Sequence, residues 1–210
     1  MESDKERAGD LMPSLTYGNL RAAVQRRGYP FFDHGDYNLN LIGLRTNDQR
    51  SELFNDWLIV AYRQNDYPQM LAFPITTDPG LYYRENPCNV KGAAIVVPGH
   101  YPKLWQIGKH KGQYDALVQH GSITVYRDNN RDTVLDCDAL TAVEGGFGIN
   151  LHKAGYSSKV VGKWSAGCQV FQQSADFDYF MALARRSAIS WGGQFSYTLL
   201  TEQEIWRQKT

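Results

Sequence analysis

The sequence lacks a net charge and a long apolar run, and each absence excludes a class of protein. Twenty-two Lys and Arg residues balance twenty-two Asp and Glu residues, so no long-range field attracts nucleic acid or an anionic lipid surface. No apolar stretch approaches the roughly 18 residues that a membrane-spanning helix needs. We therefore expect neither a nucleic-acid partner nor a membrane partner.

Cysteine is also scarce, and a signal peptide is missing. The three cysteines, Cys88, Cys137 and Cys168, cannot all pair with one another, whereas a secreted disulfide scaffold usually carries an even number. The N-terminal segment MESDKERAGDLMPS is charged and has no apolar centre, unlike a signal peptide. We interpret the cysteines as free thiols and expect synthesis in the cytoplasm.

The composition that remains is that of one globular domain. Apolar residues make up 42% and aromatic residues 13% of the 210 positions, which suits a chain that folds alone. We predict a tail and a helix, capped by Ser14, over residues 1–30, and one domain over residues 31–210. A second helix is predicted from Ser174, which would cap it. Its apolar face would consist of Phe177, Phe180, Met181 and Ala184.

Most of the chain between these helices predicts short strands. Runs rich in Val, Ile, Leu and aromatic residues alternate with turn residues; examples are DWLIVAYRQ, QMLAFPITT, LWQIGKH, DALVQH and SITVYRD. The pattern predicts a β-rich α+β fold with a mixed or antiparallel sheet, arranged as a sandwich or barrel. An N-terminal helix and one helix after Cys168 complete it.

One pair of residues could carry chemistry. Cys168 follows His152 by sixteen positions, and a thiol becomes a good nucleophile only when a base or cation favours the thiolate. If the strand that ends at His152 lies beside the strand that begins at Cys168, the intervening loop is a hairpin-like excursion that brings imidazole and thiol together. The alternatives are an inert buried thiol and a strand-end histidine with one hydrogen bond.

The turn that precedes the cysteine favours the reactive interpretation. Gly167 permits a backbone conformation that a Cβ would oppose, which presents the sulfur and frees nearby N–H groups to bind an oxyanion. The small Ala166 and Gly167 also leave room for a substrate backbone. Ser165 is either turn chemistry or part of the site.

His152, followed by GKWSAGC at residues 162–168, resembles the signature of the L,D-transpeptidase catalytic-domain (YkuD-type) family. The resemblance covers residues 94–171 in strand pattern and residues 148–171 in motif. It implies that Cys168 is the nucleophile and His152 the base, with Gly167 on the oxyanion side. We predict that the substrate lies beside Ser165, Ala166, Trp164, Gly162 and Lys153.

The resemblance implies attack by Cys168 on a peptidoglycan stem peptide, release of a terminal D-amino acid and formation of a thioester. An amine acceptor then gives L,D-transpeptidation, and water gives L,D-carboxypeptidase activity. Neither a metal nor another cofactor is implied. A backbone carbonyl near Lys153 or the side chain of Asn150 would orient the imidazole. Without an export signal, the protein would reach the cell wall through phage-type lysis or a secretion system, which favours hydrolysis.

Two departures from the family pattern favour an alternative. Ala166 stands where the family usually has a His, and Gln169–Phe171 stand where it usually has an Arg shortly after the Cys. The alternative is an inactive structural or binding protein, for instance a phage-related one, that keeps the fold. A thiol hydrolase acting on a different amide is a further possibility.

Other polar residues have two interpretations each. His100, His110 and His120 recur every ten residues at predicted strand ends, where they could rim the cleft, but they lack the close spacing of a metal site. Residues 126–132, YRDNNRD, are either charged groups that orient a zwitterionic peptide or a solvated hairpin turn. Trp164 is either a packing lid or a substrate platform.

Overall fold

The computed structural model describes residues 15–49 and 52–206. Its helices are α1 (Tyr17–Arg26), α2 (Leu81–Glu85), α3 (Ser174–Trp191) and α4 (Glu202–Trp206). Its strands are β1 (Asn40–Arg45), β2 (Asp56–Gln64), β3 (Tyr67–Thr76), β4 (Ala93–Val96), β5 (Gly99–His110), β6 (Tyr114–Gln119), β7 (Ile123–Asp128), β8 (Val143–Gly145), β9 (Leu151–Lys153), β10 (Gln169–Phe171) and β11 (Gln194–Thr201).

Eight strands close into a barrel in the order β1-β11-β5-β6-β9-β10-β3-β2. The pairs β1·β11 and β9·β10 are parallel, and the other neighbours are antiparallel. Strands β4, β7 and β8 form a second, antiparallel sheet. The prediction of a β-rich α+β fold is confirmed, and of the predicted alternatives the structure has a mixed sheet that closes into a barrel.

The core forms because apolar side chains alternate along the barrel strands. Leu58, Val60, Trp105, Leu117 and Leu151 all belong to one buried cluster. Helix α3 adds the predicted apolar face, whose four members are buried against the same cluster: Phe177, Phe180, Met181 and Ala184. The helical spacing of these residues therefore predicted the packing of α3 correctly.

Helix α1 packs on the outside of the barrel and not apart from it. Its buried residues, Leu20, Ala23 and Val24, contact a second apolar cluster that includes Ile42 of β1 and Ile59 of β2. The predicted N-terminal helix is therefore confirmed. Residues 1–14, which include the predicted tail, lie outside the described residues.

Both predicted helix caps are wrong. The N-cap of α1 is Thr16, whose Oγ1 accepts a hydrogen bond from the Asn19 backbone N–H at 3.2 Å, and not Ser14, which lies outside the described residues. Ser174 is the first helical residue of α3, after Gln173. A β-bridge between Ser157 and Gln173 keeps Gln173 extended, so the helix begins one residue earlier than a Ser174 cap requires.

Two short elements were absent from the sequence prediction, namely α2 and a 3-10 turn at Ala139–Thr141. Neither is long enough for helical periodicity to reveal it. Within residues 15–49 and 52–206, no helix combines the length and the apolar character that crossing a membrane requires.

Candidate active site

Strands β9 and β10 bring the two predicted catalytic residues to one part of the barrel. They are parallel neighbours, with Leu151 opposite Gln169 and His152 opposite Val170. A hairpin would pair them antiparallel, so the predicted hairpin-like excursion is wrong. The chain between them leaves the sheet and returns in the same direction, as parallel pairing requires.

Strand alternation places His152 and Cys168 on the same face. Ile149, Leu151 and Phe171 lie in the barrel core. Alternate residues of the same segments, which include His152 and Cys168, therefore point outward. Cys168 packs against a separate cluster outside the barrel that contains Val170. The predicted convergence of thiol and imidazole on one face therefore agrees with the strand register.

The turn before Cys168 is held by its own hydrogen bonds. The Gly167 N–H donates to Ser165 Oγ at 3.1 Å, and the Ser165 hydroxyl donates to the Cys168 carbonyl at 2.8 Å. Ser165 is fully buried, and its carbonyl accepts from the Gly80 N–H at 2.9 Å. Of the two interpretations of Ser165, the structure therefore favours turn chemistry.

Gly167 is required at its position for two reasons. Its φ is +126°, which side-chain-bearing residues rarely adopt. A Cβ would also lie 2.6 Å from the Ala94 carbonyl oxygen. The predicted backbone role of Gly167, which is to permit a turn that other residues oppose, is confirmed.

The thiol lies in a shallow nest of backbone groups. Cys168 Sγ accepts from the Asn150 N–H at 3.4 Å and lies 3.5 Å from the Gly148 carbonyl oxygen. Burial raises the pKa of the Cys168 thiol, while the Asn150 N–H and the charge of Lys111 partly offset that rise. The resting group is therefore a neutral thiol.

A backbone donor remains free beside this thiol. No acceptor among residues 15–49 and 52–206 takes a hydrogen bond from the Cys168 backbone N–H. A donor of this kind, one residue after a positive-φ glycine, can bind an oxyanion that forms on a substrate carbonyl.

His152 is a buried, neutral imidazole with a defined tautomer. It is 3% exposed, and its Nδ1 lies 3.0 Å from the Lys153 carbonyl oxygen. A carbonyl can only accept, so Nδ1 carries the proton and Nε2 keeps its lone pair. Of the two predicted orienting groups, it is the Lys153 carbonyl that contacts the ring.

The charge state of His152 follows from its surroundings. Burial, followed by the influence of His110, lowers the pKa of His152 to about 3. The two imidazole rings are stacked, with centroids 4.0 Å apart and planes inclined by 22°. Two stacked rings in a dry environment resist protonation because each cation would repel the other.

Asn150 connects this histidine pair to the thiol, and the sequence analysis did not give it that role. Its Oδ1 accepts from the Gln119 backbone N–H at 2.9 Å, which leaves Nδ2 as a donor toward His110 Nδ1 at 3.1 Å. His110 is therefore protonated on Nε2. The signal that could have found Asn150 is its position two residues before His152, on the same strand face.

Of the three regularly spaced histidines, only His110 reaches the site. The His100 ring lies 2.9 Å from Thr198 Oγ1, and the His120 ring lies 2.8 Å from Gln194 Nε2. Within the described part of the chain, no cluster of three or more His, Cys, Asp or Glu side chains could hold a metal ion.

A cleft of about 310 Å³ opens beside the Cys168 turn. Its wall includes Phe147 and Ile149, which flank the Gly148 carbonyl that the thiol contacts. Ala166 lines it from the other side, together with Ala94, Tyr83 and Arg127. The small Ala166 thus borders open space, as the sequence analysis expected.

Two other predicted substrate contacts lie outside this cleft but near the turn. Trp164 is 45% exposed, and Gly162 adopts a positive φ of +48°. Neither residue lines the cleft wall. Their contacts with substrate remain predictions.

The side chain of Lys153 does not lie where the sequence analysis placed it. Its Nζ forms an ion pair with Asp178 of α3 at 2.9 Å, and it also lies near the rings of Tyr114 and Phe177. Lys153 follows His152 in β9, so strand alternation sends its side chain to the opposite face. Only its backbone carbonyl takes part in the site.

The interpretation of residues 126–132 as a solvated hairpin turn is wrong for their first half. Strand β7 continues to Asp128, which is buried and lies 3.8 Å from the buried Arg84. Arg127 lines the cleft.

The cysteines are free, as predicted, and only Cys168 is part of this turn. Comparison of the chain with protein-family models, with curated proteins and with solved structures found no match in any of the three.

Proposed function

We propose that the protein is a cysteine-dependent acyltransferase acting on peptidoglycan stem peptides. Hydrolysis that releases a terminal D-amino acid, an L,D-carboxypeptidase activity, is the favoured outcome over L,D-transpeptidation. The observation that carries the proposal is the arrangement of Cys168: it follows a strained glycine turn whose Ala166 lines the cleft, and it lies on the same strand face as His152. Folding alone does not require a thiol and an imidazole on the same strand face.

The proposed reaction begins with attack of Cys168 Sγ on the carbonyl carbon of the scissile peptide bond. The thiol proton passes to His152 Nε2, and the free Cys168 N–H stabilises the tetrahedral oxyanion. Collapse of this intermediate breaks the C–N bond, and the imidazolium returns the proton to the leaving amine. The product is a thioester on Cys168 and a free D-amino acid.

Water or an amine then attacks the thioester, and His152 again accepts and returns the proton. Water restores the thiol and yields a shortened peptide acid, whereas an amine yields a new amide bond. Both outcomes use the same acyl-enzyme, so the acceptor alone distinguishes carboxypeptidase from transpeptidase activity.

The neutral resting state defines how the pair would work. Burial raises the pKa of Cys168 and lowers the pKa of His152 to about 3, so a preformed thiolate–imidazolium pair is disfavoured. The proton would move during attack, as in general base catalysis. The adjacent Asn150 N–H supports negative charge on the sulfur as that transfer proceeds.

The neutral state of Cys168 and His152 also favours a second candidate function. A neutral thiol and a buried imidazole stacked on His110 are also what a protein that has lost its activity could retain. The chain would then be a structural or binding protein built on the same barrel. The departures at Ala166 and Gln169 from the family pattern point in this direction.

Mass spectrometry of tetrapeptide and pentapeptide stem fragments, with and without an amine acceptor, separates these candidates. We expect loss of a terminal D-residue with wild-type protein, no loss with Cys168→Ala, and full activity with Cys137→Ala, which removes a cysteine outside the cleft. The product mass distinguishes hydrolysis from exchange. If folded wild-type protein leaves every fragment intact, the structural or binding function replaces the proposed one.

A further inference from the structure

We infer that Arg127 binds the terminal carboxylate of the peptide substrate in the cleft beside Cys168. This inference rests on the proposed function and deepens it. It names a free C-terminus as the feature that the site recognises.

The guanidinium of Arg127 makes one hydrogen bond and has one edge without a partner. Its Nη1 donates to the Gly92 carbonyl oxygen at 3.3 Å. Its Nε is buried and has no hydrogen-bond partner in the described chain. Because Nη2 also makes no hydrogen bond there, the Nε and Nη2 edge has no partner, and a carboxylate that reaches this edge would form two parallel hydrogen bonds with it.

Arg127 forms no ion pair with a carboxylate among the described residues. None of the described Asp or Glu side chains lies within salt-bridge distance of it, whereas its sequence neighbour Asp128 pairs with Arg84. Burial lowers the pKa of Arg127, since its charge is partly removed from water without a compensating anion. A partly buried charge without an anion beside it is poorly compensated, and a ligand carboxylate would supply that partner.

The strand register places this arginine close to the nucleophile. Arg127 of β7 pairs with Ala94 of β4. The Ala94 carbonyl is the group that approaches Gly167 so closely that a Cβ would not fit. Arg127 is therefore one strand away from the turn that displays Cys168, and both Arg127 and Ala94 line the cleft.

Phe147 keeps the guanidinium in this position. Its ring lies 4.6 Å from Arg127 Cζ in a cation–π contact and also lines the cleft. Phe147 stands between Gly146 and Gly148, so small backbone shifts can open the Nε edge to a ligand. The ring thus covers one face of the guanidinium and leaves its in-plane donors for an anion.

A carboxylate bound here selects peptides by their end. A peptide that ends in a free acid gains the charge-assisted hydrogen bonds, whereas an internal peptide bond or a terminal amide does not. This selection makes the site an exopeptidase site, which agrees with release of a single terminal D-residue.

The test measures equilibrium binding to Cys168→Ala protein, which cannot form the thioester. The probes are a tetrapeptide stem fragment and the same fragment with a C-terminal amide, so they differ only at the terminal group. We expect the acid to bind about tenfold to hundredfold more tightly than the amide. Adding Arg127→Met should remove that preference, Arg127→Lys should restore part of it, and the exposed Arg131→Gln should leave it unchanged.

Equal affinity for acid and amide, a preference that survives Arg127→Met, or no binding of either probe to folded protein would each overturn the inference. Turnover by wild-type protein is measured separately. An acid preference without turnover would retain the Arg127 site and reject acyl transfer. Turnover without an acid preference would do the reverse.

Discussion

Two buried polar clusters lie near Cys168, and they differ in charge and in how many of their polar atoms have partners. The ionic cluster consists of Arg45, Asp56, Thr77 and Asp78. Arg45 Nε lies 3.0 Å from Asp78 Oδ1, and Arg45 also donates to the Thr77 carbonyl at 2.9 Å and the Val96 carbonyl at 2.7 Å. Asp56 accepts from the Thr77 N–H and hydroxyl at 2.8 and 2.7 Å.

The neutral cluster consists of Cys168, His152, His110 and Asn150. Here the resting groups carry no charge, and two of them keep unused capacity: the lone pair on His152 Nε2 and the free N–H of Cys168. In the ionic cluster Arg45 and Asp56 each make several hydrogen bonds, and Asp78 Oδ1 has the ion pair with Arg45. The cluster anchors the loop whose Gly80 N–H binds the Ser165 carbonyl. The polar groups that support the fold have partners, whereas those that could serve chemistry keep a free hydrogen-bond donor or acceptor.

The largest effect should come from breaking the ionic cluster. Arg45→Leu removes the partner of buried Asp78 and should lower the free energy of unfolding by about 3–5 kcal/mol. Chemical denaturation measures it. Lys109→Leu is the matched control, because it removes an ion pair with Asp115 that is exposed on both sides and should change stability little. Equal effects of the two substitutions would contradict the distinction between anchoring and surface pairs.

Gly167→Ala should be next in size. The added Cβ would lie 2.6 Å from the Ala94 carbonyl oxygen, at a residue whose φ is +126°. The substitution should lower the free energy of unfolding by about 1–3 kcal/mol and also reduce D-residue release. Gly112→Ala separates the two causes, since Gly112 has a φ of +74° but nothing within 4 Å of its Cβ. A loss of activity in both variants would show that the contact at Ala94 is not what matters.

His152 should make stability depend on pH with a defined sign. Its pKa is about 3 in the folded protein against an ordinary value of 6.5, so the unfolded chain binds more protons between these values. This contribution to stability is complete above pH 6.5 and is lost as pH falls toward 3. When the pH falls from 7 to 5, the free energy of unfolding of the wild type should decrease by about 2 kcal/mol more than that of His152→Gln.

The comparison with His152→Gln is essential because Asp78 acts in the opposite direction. Burial raises the pKa of Asp78 to about 7, so its contribution grows as pH falls from 7 toward 4. That contribution is common to both proteins and cancels in the difference. If the two proteins show the same pH dependence in denaturation experiments from pH 5 to pH 7, His152 is not a buried neutral imidazole.

The smallest effect should follow Lys153→Met. The ion pair with Asp178 is partly exposed, so its loss should lower the free energy of unfolding by less than about 1 kcal/mol. Because the side chain lies on the face opposite His152, D-residue release should be unchanged. A marked loss of activity with intact stability would return Lys153 to the substrate side of the site.

The site was predictable from sequence where it depends on neighbours along the chain. The order of His152 and Cys168 at the ends of two short apolar runs predicts that they can meet if the two strands are neighbours, and the Gly167-Cys168 pair predicts a strained turn. The turn involves only a few consecutive residues, so its prediction needs no knowledge of the fold. The apolar face of α3 was predictable for the same reason.

The parts of the site that the sequence did not predict depend on barrel closure, which no local sequence pattern encodes. His110 of β5 reaches His152 of β9 only because β5, β6 and β9 are successive strands of the barrel, and the parallel pairing of β9 with β10 is a property of the whole topology. Arg127 reaches the cleft through its pairing with Ala94 in a second sheet. The cap of α3 was misplaced because a β-bridge to Gln173 overrides the local preference of Ser174.

The most direct test of the central claim, that the neutral cluster is an acyl-transfer site, is the intact mass of the protein after brief incubation with a stem peptide. The account predicts an added mass equal to the acyl part of the peptide, located on Cys168, removed by hydroxylamine and absent in Cys168→Ala. An unchanged mass in folded wild-type protein, under conditions in which the peptide is shown to bind, would contradict it.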